Sequence, residues 1–257
     1  IDLPVIQAPM AGVQGHELAV AVSNAGGLGS LPCAMLSSEA LRKELEALTS
    51  QTSKPYNVNF FCHTPPEPDA NAEHHWREAL SPYFDELGID SNDVSAQAGR
   101  APFSSEAADV LADFKPPVVS FHFGLPAPEL MARIRGWGGK ILSTATTVDE
   151  ALWLEAQGVD AIIAQGLEAG GHRGFFLSRD ISTQVGTFAL IPQMVDAGKI
   201  SVIAAGGIAD FKGVQAAMAL GAAGAQIGTA YLLCPEAQPR AVQRAALKSE
   251  TSRVTAL

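Results

Sequence analysis

The sequence predicts an α/β protein, specifically a (β/α)8 barrel with an insertion after its third strand. Short apolar runs alternate with helix-like stretches eight times over 257 residues, and this number of repeats is typical of a TIM barrel. Most runs lack alternating polar positions, as expected for strands that are covered on both faces. A doubly wound open sheet uses the same local units, but the count of eight favours the barrel.

The N-terminal part supplies three predicted strands and two helices. Pro9 ends the first apolar run, and Gly26 and Gly27 end the first helical stretch. Ser37 or Ser38 is a suitable N-cap for the second helix, whose leucines repeat on one face. The strands are predicted at 5–8, 28–31 and 56–61, and the helices at 16–25 and 37–48.

Residues 62–117 interrupt this alternation. The segment is polar, contains prolines at 65, 66 and 68, and includes one predicted helix at 72–87. A long connection without a core of its own is typical of a functional loop or cap. We therefore predict one barrel domain over 1–257, in which 62–117 form an insertion placed to act as a cap.

The alternation resumes at Pro117 and continues through five further units. Thr147 is placed to cap one helix, and glycines at 158, 198 and 221 are placed to end three. The strands are predicted at 117–121, 140–143, 159–164, 201–204 and 225–227. The helices that follow them are predicted at 127–137, 148–157, 182–197, 210–220 and 235–247.

Composition and charge disfavour several classes of function. Acidic residues outnumber basic ones by 27 to 17, giving a formal net charge of −10, which disfavours nucleic acid and anionic membranes as partners. The three cysteines support neither a disulfide framework nor a metal site. No membrane-spanning run or signal peptide is evident, so we expect a cytoplasmic enzyme for small molecules. A homo-oligomer is compatible with the sequence.

Two glycine-containing loops follow the last two predicted strands. Gly206 and Gly207 precede a helix N-terminus, and Gly228 and Thr229 follow the eighth strand. In a barrel of this kind, phosphate groups commonly bind in these two loops. Each loop alone could be only a tight turn, but together they predict a phosphate site.

The segment 165–174 follows the sixth strand and contains His172 between Gly171 and Arg173. A histidine in a loop is usually structural or merely exposed, but catalytic groups of barrel enzymes lie at the carboxyl ends of strands. An imidazole there can move protons near neutral pH. Gln165 ends the same strand, and its amide could bind a polar heterocycle.

His122 follows the fourth strand, in a position equivalent to that of His172. Two histidines that converge from different strands are less easily explained by chance than one, so we predict that His122 also lines the site. His74 and His75 lie on a polar helix and are most simply explained as part of its solvated face.

These segments resemble the nitronate monooxygenase family, formerly called the 2-nitropropane dioxygenases, and specifically its bacterial class-I branch. The sequences Phe-His-Phe-Gly-Leu-Pro at 121–126 and Glu-Ala-Gly-Gly-His-Arg-Gly at 168–174 carry most of the resemblance. The matching pieces run in family order over nearly the whole chain, at 4–12, 57–61, 120–126, 165–174, 204–210 and 226–229.

The resemblance implies an FMN-dependent flavoprotein that oxidises alkyl nitronates, or nitroalkanes, with O2 to a carbonyl compound and nitrite, a detoxification reaction. His172 would be the catalytic residue and His122 a neighbour of the substrate. The residues implied at the flavin ring are Pro9, Met10, Asn59, Gln165, Gly170 and Gly171. Those implied at the phosphate are Gly206, Gly207, Gln226, Ile227, Gly228 and Thr229.

The sequence departs from the branch at its C-terminus. Relatives usually have a further segment that helps cover the substrate with aromatic side chains, whereas this sequence ends at Leu257 and contains only three tyrosines. Either that segment is missing from this chain, or the pocket is more open than in the relatives.

Other functions remain compatible with the sequence. A related flavin barrel could take hydride from NAD(P)H, as quinone reductases and the flavin-dependent enoyl-acyl-carrier-protein reductase do. An isomerase or lyase barrel could bind a sugar phosphate without flavin, and a flavin-binding remnant could lack activity.

Overall fold

The structure, a computed structural model, describes residues 1–91, 93–94 and 101–253. Its centre is an eight-stranded parallel sheet in the order β1-β8-β7-β6-β5-β4-β3-β2, and this confirms the predicted barrel. The strands are β1 (Val5–Gln7), β2 (Gly29–Pro32), β3 (Tyr56–Phe61), β4 (Val118–His122), β5 (Lys140–Ala145), β6 (Ala161–Gln165), β7 (Ser201–Ala205) and β8 (Gly224–Ile227).

The first and last strands close the sheet into a barrel. In β1, Ile6 pairs with Gln226 of β8 on one side and forms a parallel bridge with Leu28 on the other. The amide of Gln7 also donates to the carbonyl of Leu28 at 2.9 Å. Because all eight strands are parallel, their carboxyl ends meet at one rim.

Helices alternate with the strands and cover the barrel. Several begin at side-chain caps: Ser37, for example, accepts from the amide of Ala40, and Asp210 from that of Gly213. The helices are α1 (His16–Asn24), α2 (Ser38–Gln51), α3 (Ala70–Leu87), α4 (Ser105–Phe114), α5 (Pro128–Gly136), α6 (Val148–Ala156), α7 (Thr187–Ala197), α8 (Phe211–Ala219) and α9 (Ala241–Leu247).

Two predicted helices begin later than expected. Residues 182–186 precede α7 in a 3₁₀ turn and an extended stretch, because the carbonyl of Val185 accepts from Leu167 in the loop after β6. Helix α9 begins at Ala241, not at 235. Pro239 disfavours a helical conformation at Gln238, whose amide donates instead to the carbonyl of Val13.

The predicted insertion 62–117 contains more of the barrel than expected. Its second half forms α4, which packs against α2 and α5 and buries Ala108, Val110 and Leu111. Helix α4 is therefore the barrel helix between β3 and β4. The added part comprises 62–104, and its α3 has no buried residue; residues 92 and 95–100 lie outside the described part of the chain.

The barrel interior is polar on one side and apolar on the other. Apolar side chains from β1 and β5 to β7, together with Leu28, form one buried cluster. In contrast, the Nδ2 atoms of Asn57 and Asn59 both donate to the hydroxyl of Ser120 at 2.9 Å. The apolar character of the runs did not predict this network. In the described part of the chain, no helix has the length and apolar character of a membrane span.

Candidate active site

A cavity of about 580 Å³ opens at the carboxyl ends of the strands, within the usual size range of small-molecule sites. Thirteen of the fourteen predicted site residues line it: Pro9, Met10, Asn59, His122, Gln165, Gly170, Gly171, His172, Gly206, Gly207, Gln226, Gly228 and Thr229. The same cavity therefore joins the two glycine-containing loops to the segment 165–174, which contains His172.

Ile227 is the predicted site residue that does not line the cavity. Its side chain is buried in the cluster that contains Ile191 and Ile208, and its carbonyl accepts from the amide of Ala8 at 2.8 Å. Alternate residues of a strand point to opposite faces, so Gln226 and Ile227 cannot both turn their side chains inward.

The glycines of the two loops differ in whether a larger side chain would fit in their place. Gly206 has φ of +125°, and a Cβ there would lie 2.6 Å from Oγ1 of Thr187, so this glycine is needed for loop packing. A Cβ at Gly228 would have its nearest contacts with Ala8 and with Sδ of Met10, at 3.5 and 3.8 Å. Gly228 therefore leaves space beside the cavity.

Gln226 brings an unused polar atom to this region. Its Oε1 is buried and has no hydrogen-bond partner among the described residues. Because a buried acceptor without a partner is costly, such an atom in a cavity wall is typical of a site that binds a polar ligand.

The backbone of His172 is fixed by two side chains. Its carbonyl oxygen accepts from Nε2 of Gln165 at 2.9 Å and lies 3.1 Å from Nε2 of His122. Oε1 of Gln165 accepts from the amide of Gly174 at 2.7 Å. Both ends of the Gln165 amide are therefore engaged by the loop, although its side chain lines the cavity.

The imidazole of His172 is exposed and borders the cavity. The rings of Phe61 and Phe123 lie near it in edge-on arrangements, with centroids 5.5 and 6.0 Å from that of the imidazole. Phe123 adopts φ of +68°, a conformation that non-glycine residues rarely adopt and that clusters at functional sites.

The contacts of His122 define its tautomer. Since the carbonyl of His172 can only accept, Nε2 of His122 donates to it, and Nδ1 accepts from the hydroxyl of Thr144 at 3.0 Å. Burial lowers the pKa of His122 from 6.5 to about 4. His122 is therefore neutral at physiological pH and holds the loop that carries His172.

This pKa predicts a pH dependence of stability that originates at His122. The unfolded chain binds a proton at this histidine below pH 6.5, whereas the folded chain does so only near pH 4. The contribution of neutral His122 to the free energy of unfolding is fully present above pH 6.5. It falls by about 3 kcal/mol as the pH decreases from 6.5 to 4. Urea titrations over this range should show the loss in the wild type and a shallower dependence in His122→Gln. Parallel curves for the two proteins would contradict the prediction.

Arg173 closes the turn that precedes His172. Its guanidinium donates to the carbonyls of Gly166 and Leu167 at 2.6 and 2.9 Å. Glu168, within this turn, accepts from the amide and hydroxyl of Thr187 at 2.8 and 2.7 Å. Partial burial acts to raise the pKa of Glu168, but these bonds and the charge of Arg173 outweigh it, and the pKa is lowered.

Several lining residues were not predicted from the sequence. Phe61 ends β3 and Thr144 lies next to the end of β5, so their positions at strand ends could have indicated them. Glu168 also lines the cavity, and its place within 165–174 indicates no separate role in the sequence. Gln243, from α9, carries no local pattern that distinguishes it from other polar residues of a terminal helix.

The profile of the nitronate monooxygenase family matches residues 1–257. A nitronate monooxygenase of Paraburkholderia phytofirmans is 44% identical over 99% of this chain and 70% of its own length. One of Pseudomonas aeruginosa is 42% identical over 100% of this chain and 74% of its own length.

Solved structures give a consistent result. The structure of a nitroalkane oxidase from Streptomyces ansochromogenes superposes with a TM-score of 0.90 at 38% identity, over 99% of this chain and 73% of that one. FabK from Thermotoga maritima is less similar, with a TM-score of 0.72 at 29% identity, over 96% of this chain and 64% of that one. With a match over its whole length and relatives above 40% identity, this chain belongs to the nitronate monooxygenase family of oxidoreductases.

Proposed function

We propose that the protein binds FMN and oxidises alkyl nitronates with O2 to a carbonyl compound and nitrite. The observation that carries the proposal is the continuity of one cavity from Gly206 and Gly228 to His172. A phosphorylated cofactor held at the glycine-containing loops would extend toward the histidine. Family membership and the likeness to a nitroalkane oxidase support this reaction class.

The residues present fit FMN. The barrel loops at Gly206, Gly207, Gly228 and Thr229 suit its phosphate, because such loops bring backbone N–H groups close to an anion. Gln226 offers the acceptor Oε1, which has no other partner in the described chain. Since Nδ2 of Asn59 is already bonded to Ser120, the amide of Asn59 would offer its oxygen to the polar edge of the ring.

The residues around the cavity would bind and orient the substrate. His172 presents an imidazole that can donate a hydrogen bond to a nitronate oxygen, or accept a carbon proton when a neutral nitroalkane is offered. Phe61 and Phe123 place apolar surface beside that imidazole. FMN, when bound, supplies the oxidising equivalent and the reaction with O2.

We propose that the described part of 62–104 forms one side of the substrate entrance. It begins where the amide of Cys62 donates to the carbonyl of His122, and it returns where Phe103 donates to that of Phe61. Both anchors lie at the rim of the cavity. Helix α3 between them exposes Trp76 and Tyr83, and we include it in the proposed function as a cap.

The proposal predicts that the protein purified with FMN is yellow and that ethyl nitronate removes its visible flavin absorbance without oxygen. Readmitting O2 should restore the absorbance and release nitrite. The control is the same anaerobic mixing with NADH, which should leave the spectrum unchanged over the same period. Prompt bleaching by NADH alone would favour a reductase, and a colourless protein that takes up no FMN would favour a flavin-independent barrel enzyme.

A further inference from the structure

Glu150 is a buried carboxylate with no role in the site described above. It lies in the first turn of α6 and is 1% exposed. Its amide donates to the hydroxyl of the N-cap Thr147 at 3.2 Å, so Thr147 and Glu150 have the spacing of a capping box. In that motif the glutamate turns back to the N-cap amide, but here the carboxylate makes other bonds.

The two oxygens of Glu150 join two separate segments. Oε2 accepts from the amide and the hydroxyl of Thr146 at 2.7 and 2.8 Å, at the end of β5. Oε1 accepts from the amides of Phe176 and Leu177 at 2.6 and 3.2 Å, in the loop after β6. These four donors compensate for the cost of burying the carboxylate.

This loop is the one that carries His172. Its 172–174 part is held through the bonds of Gln165 and His122, and Glu150 holds it again at 176–177. The chain between these two attachments is too short to move independently of them. We propose that Glu150 is a positioning residue that fixes the loop so that the His172 imidazole stays at the cavity.

Two further contacts support this attachment of the loop. The ring of Trp153 lies edge-on to that of Phe176, with centroids 5.2 Å apart. Nε2 of Gln184 donates to the hydroxyl of Thr146 at 2.9 Å, which ties the far end of the loop to the same network. The inference rests on the proposed role of His172, but the attachment of the loop can be measured separately.

Glu150→Gln tests the proposal with little change of shape. An amide has one acceptor oxygen, so glutamine can accept from Thr146 or from the amides of Phe176 and Leu177 but not from both. In either orientation the bridge between the two segments loses one of its ends. In the FMN-saturated protein, we expect kcat with ethyl nitronate to fall by about 10- to 100-fold. The Kd for FMN should stay unchanged, because Glu150 does not line the cavity.

Limited trypsin digestion gives a second measurement that does not depend on turnover. Cleavage after Arg173, followed by mass spectrometry, should be about 5- to 100-fold faster in Glu150→Gln than in the wild type, as expected when the buried bridge that holds the loop loses a hydrogen bond. Digestion of the FMN-saturated proteins at equal concentration makes the rates comparable.

Glu155→Gln is the matched control. Glu155 lies on the same helix, and its Oε2 accepts from the amide of Lys199 at 2.9 Å, away from the His172 loop. We expect this variant to keep both kcat and the wild-type cleavage rate. If Glu150→Gln and Glu155→Gln behave alike in both measurements, the positioning role is wrong.

A second variant covers the case in which Glu150→Gln does not fold. Glu150→Asp keeps the charge but is one methylene too short to reach both segments, and it should show the same loss of kcat and faster cleavage. Wild-type behaviour of this variant would overturn the proposal. If cleavage is faster in the Glu150 variants but His172→Asn has unchanged turnover, the attachment of the loop by Glu150 is supported and the role of His172 is wrong.

Discussion

Replacing His172 with asparagine is expected to lower kcat/KM for ethyl nitronate by about 10²- to 10⁴-fold, the range typical of a lost proton-handling group. The carbonyl of residue 172, not its side chain, accepts the bonds from Gln165 and His122, so the substitution leaves these two attachments in place. Asparagine can still donate a hydrogen bond, but it neither becomes a cation nor accepts a proton near neutral pH. Nitrite release measured under air, together with the Kd for FMN, checks the prediction.

The loss of kcat/KM in His172→Asn should be larger when the neutral nitroalkane is the substrate. A preformed nitronate needs only to be bound and oriented, whereas a nitroalkane must first lose a carbon proton to a base. His75→Asn is a suitable control, because His75 is an exposed histidine of α3. Equal kinetics for the two variants would show that His172 is not the catalytic residue.

The barrel was predictable because its signals are local and repeated. Tyr56–Phe61 is strand β3 with the predicted bounds, and Thr147 caps α6 as expected. Helix α4 was missed because the polar, proline-containing segment before it dominates the composition of 62–117. Its burial depends on contacts with α2 and α5, which are distant in sequence.

The site was predictable as a set of positions but not as a set of contacts. Strand ends and glycines place His172, His122 and Gly228 at one rim, and the structure brings them to one cavity. Which atoms of His122 and Gln165 bind the loop depends on its path in space. No sequence pattern specifies that path.

Glu150 shows why such roles escape a sequence pattern. An acidic residue in the first turn of a helix is already explained by the helix dipole and by capping. That explanation accounts for the residue type and gives no reason to look further. Only the distance from its carboxylate to the amide of Phe176 reveals the second attachment.

Gly228→Asp is expected to abolish tight FMN binding, with the Kd raised by more than about 100-fold. The nearest contacts of a Cβ at this position would be Cβ of Ala8 and Sδ of Met10, both at ordinary van der Waals distances. The new side chain can therefore be accommodated beside the cavity. Its carboxylate would then face the phosphate proposed for this loop. Two like charges about 5 Å apart repel by roughly 3 kcal/mol at an effective dielectric constant of about 20.

Gly228→Asn separates charge from size in this experiment. Asparagine has nearly the shape of aspartate but carries no charge, so it should raise the Kd for FMN by much less. The comparison is most informative as a function of salt, because added salt should reduce the difference between the two variants. If aspartate and asparagine weaken the binding of FMN equally at low salt, position 228 does not face an anion. The phosphate must then bind elsewhere at the carboxyl ends of the strands. If only aspartate prevents binding, position 228 faces the anionic part of FMN, and the loop must be free of negative charge there.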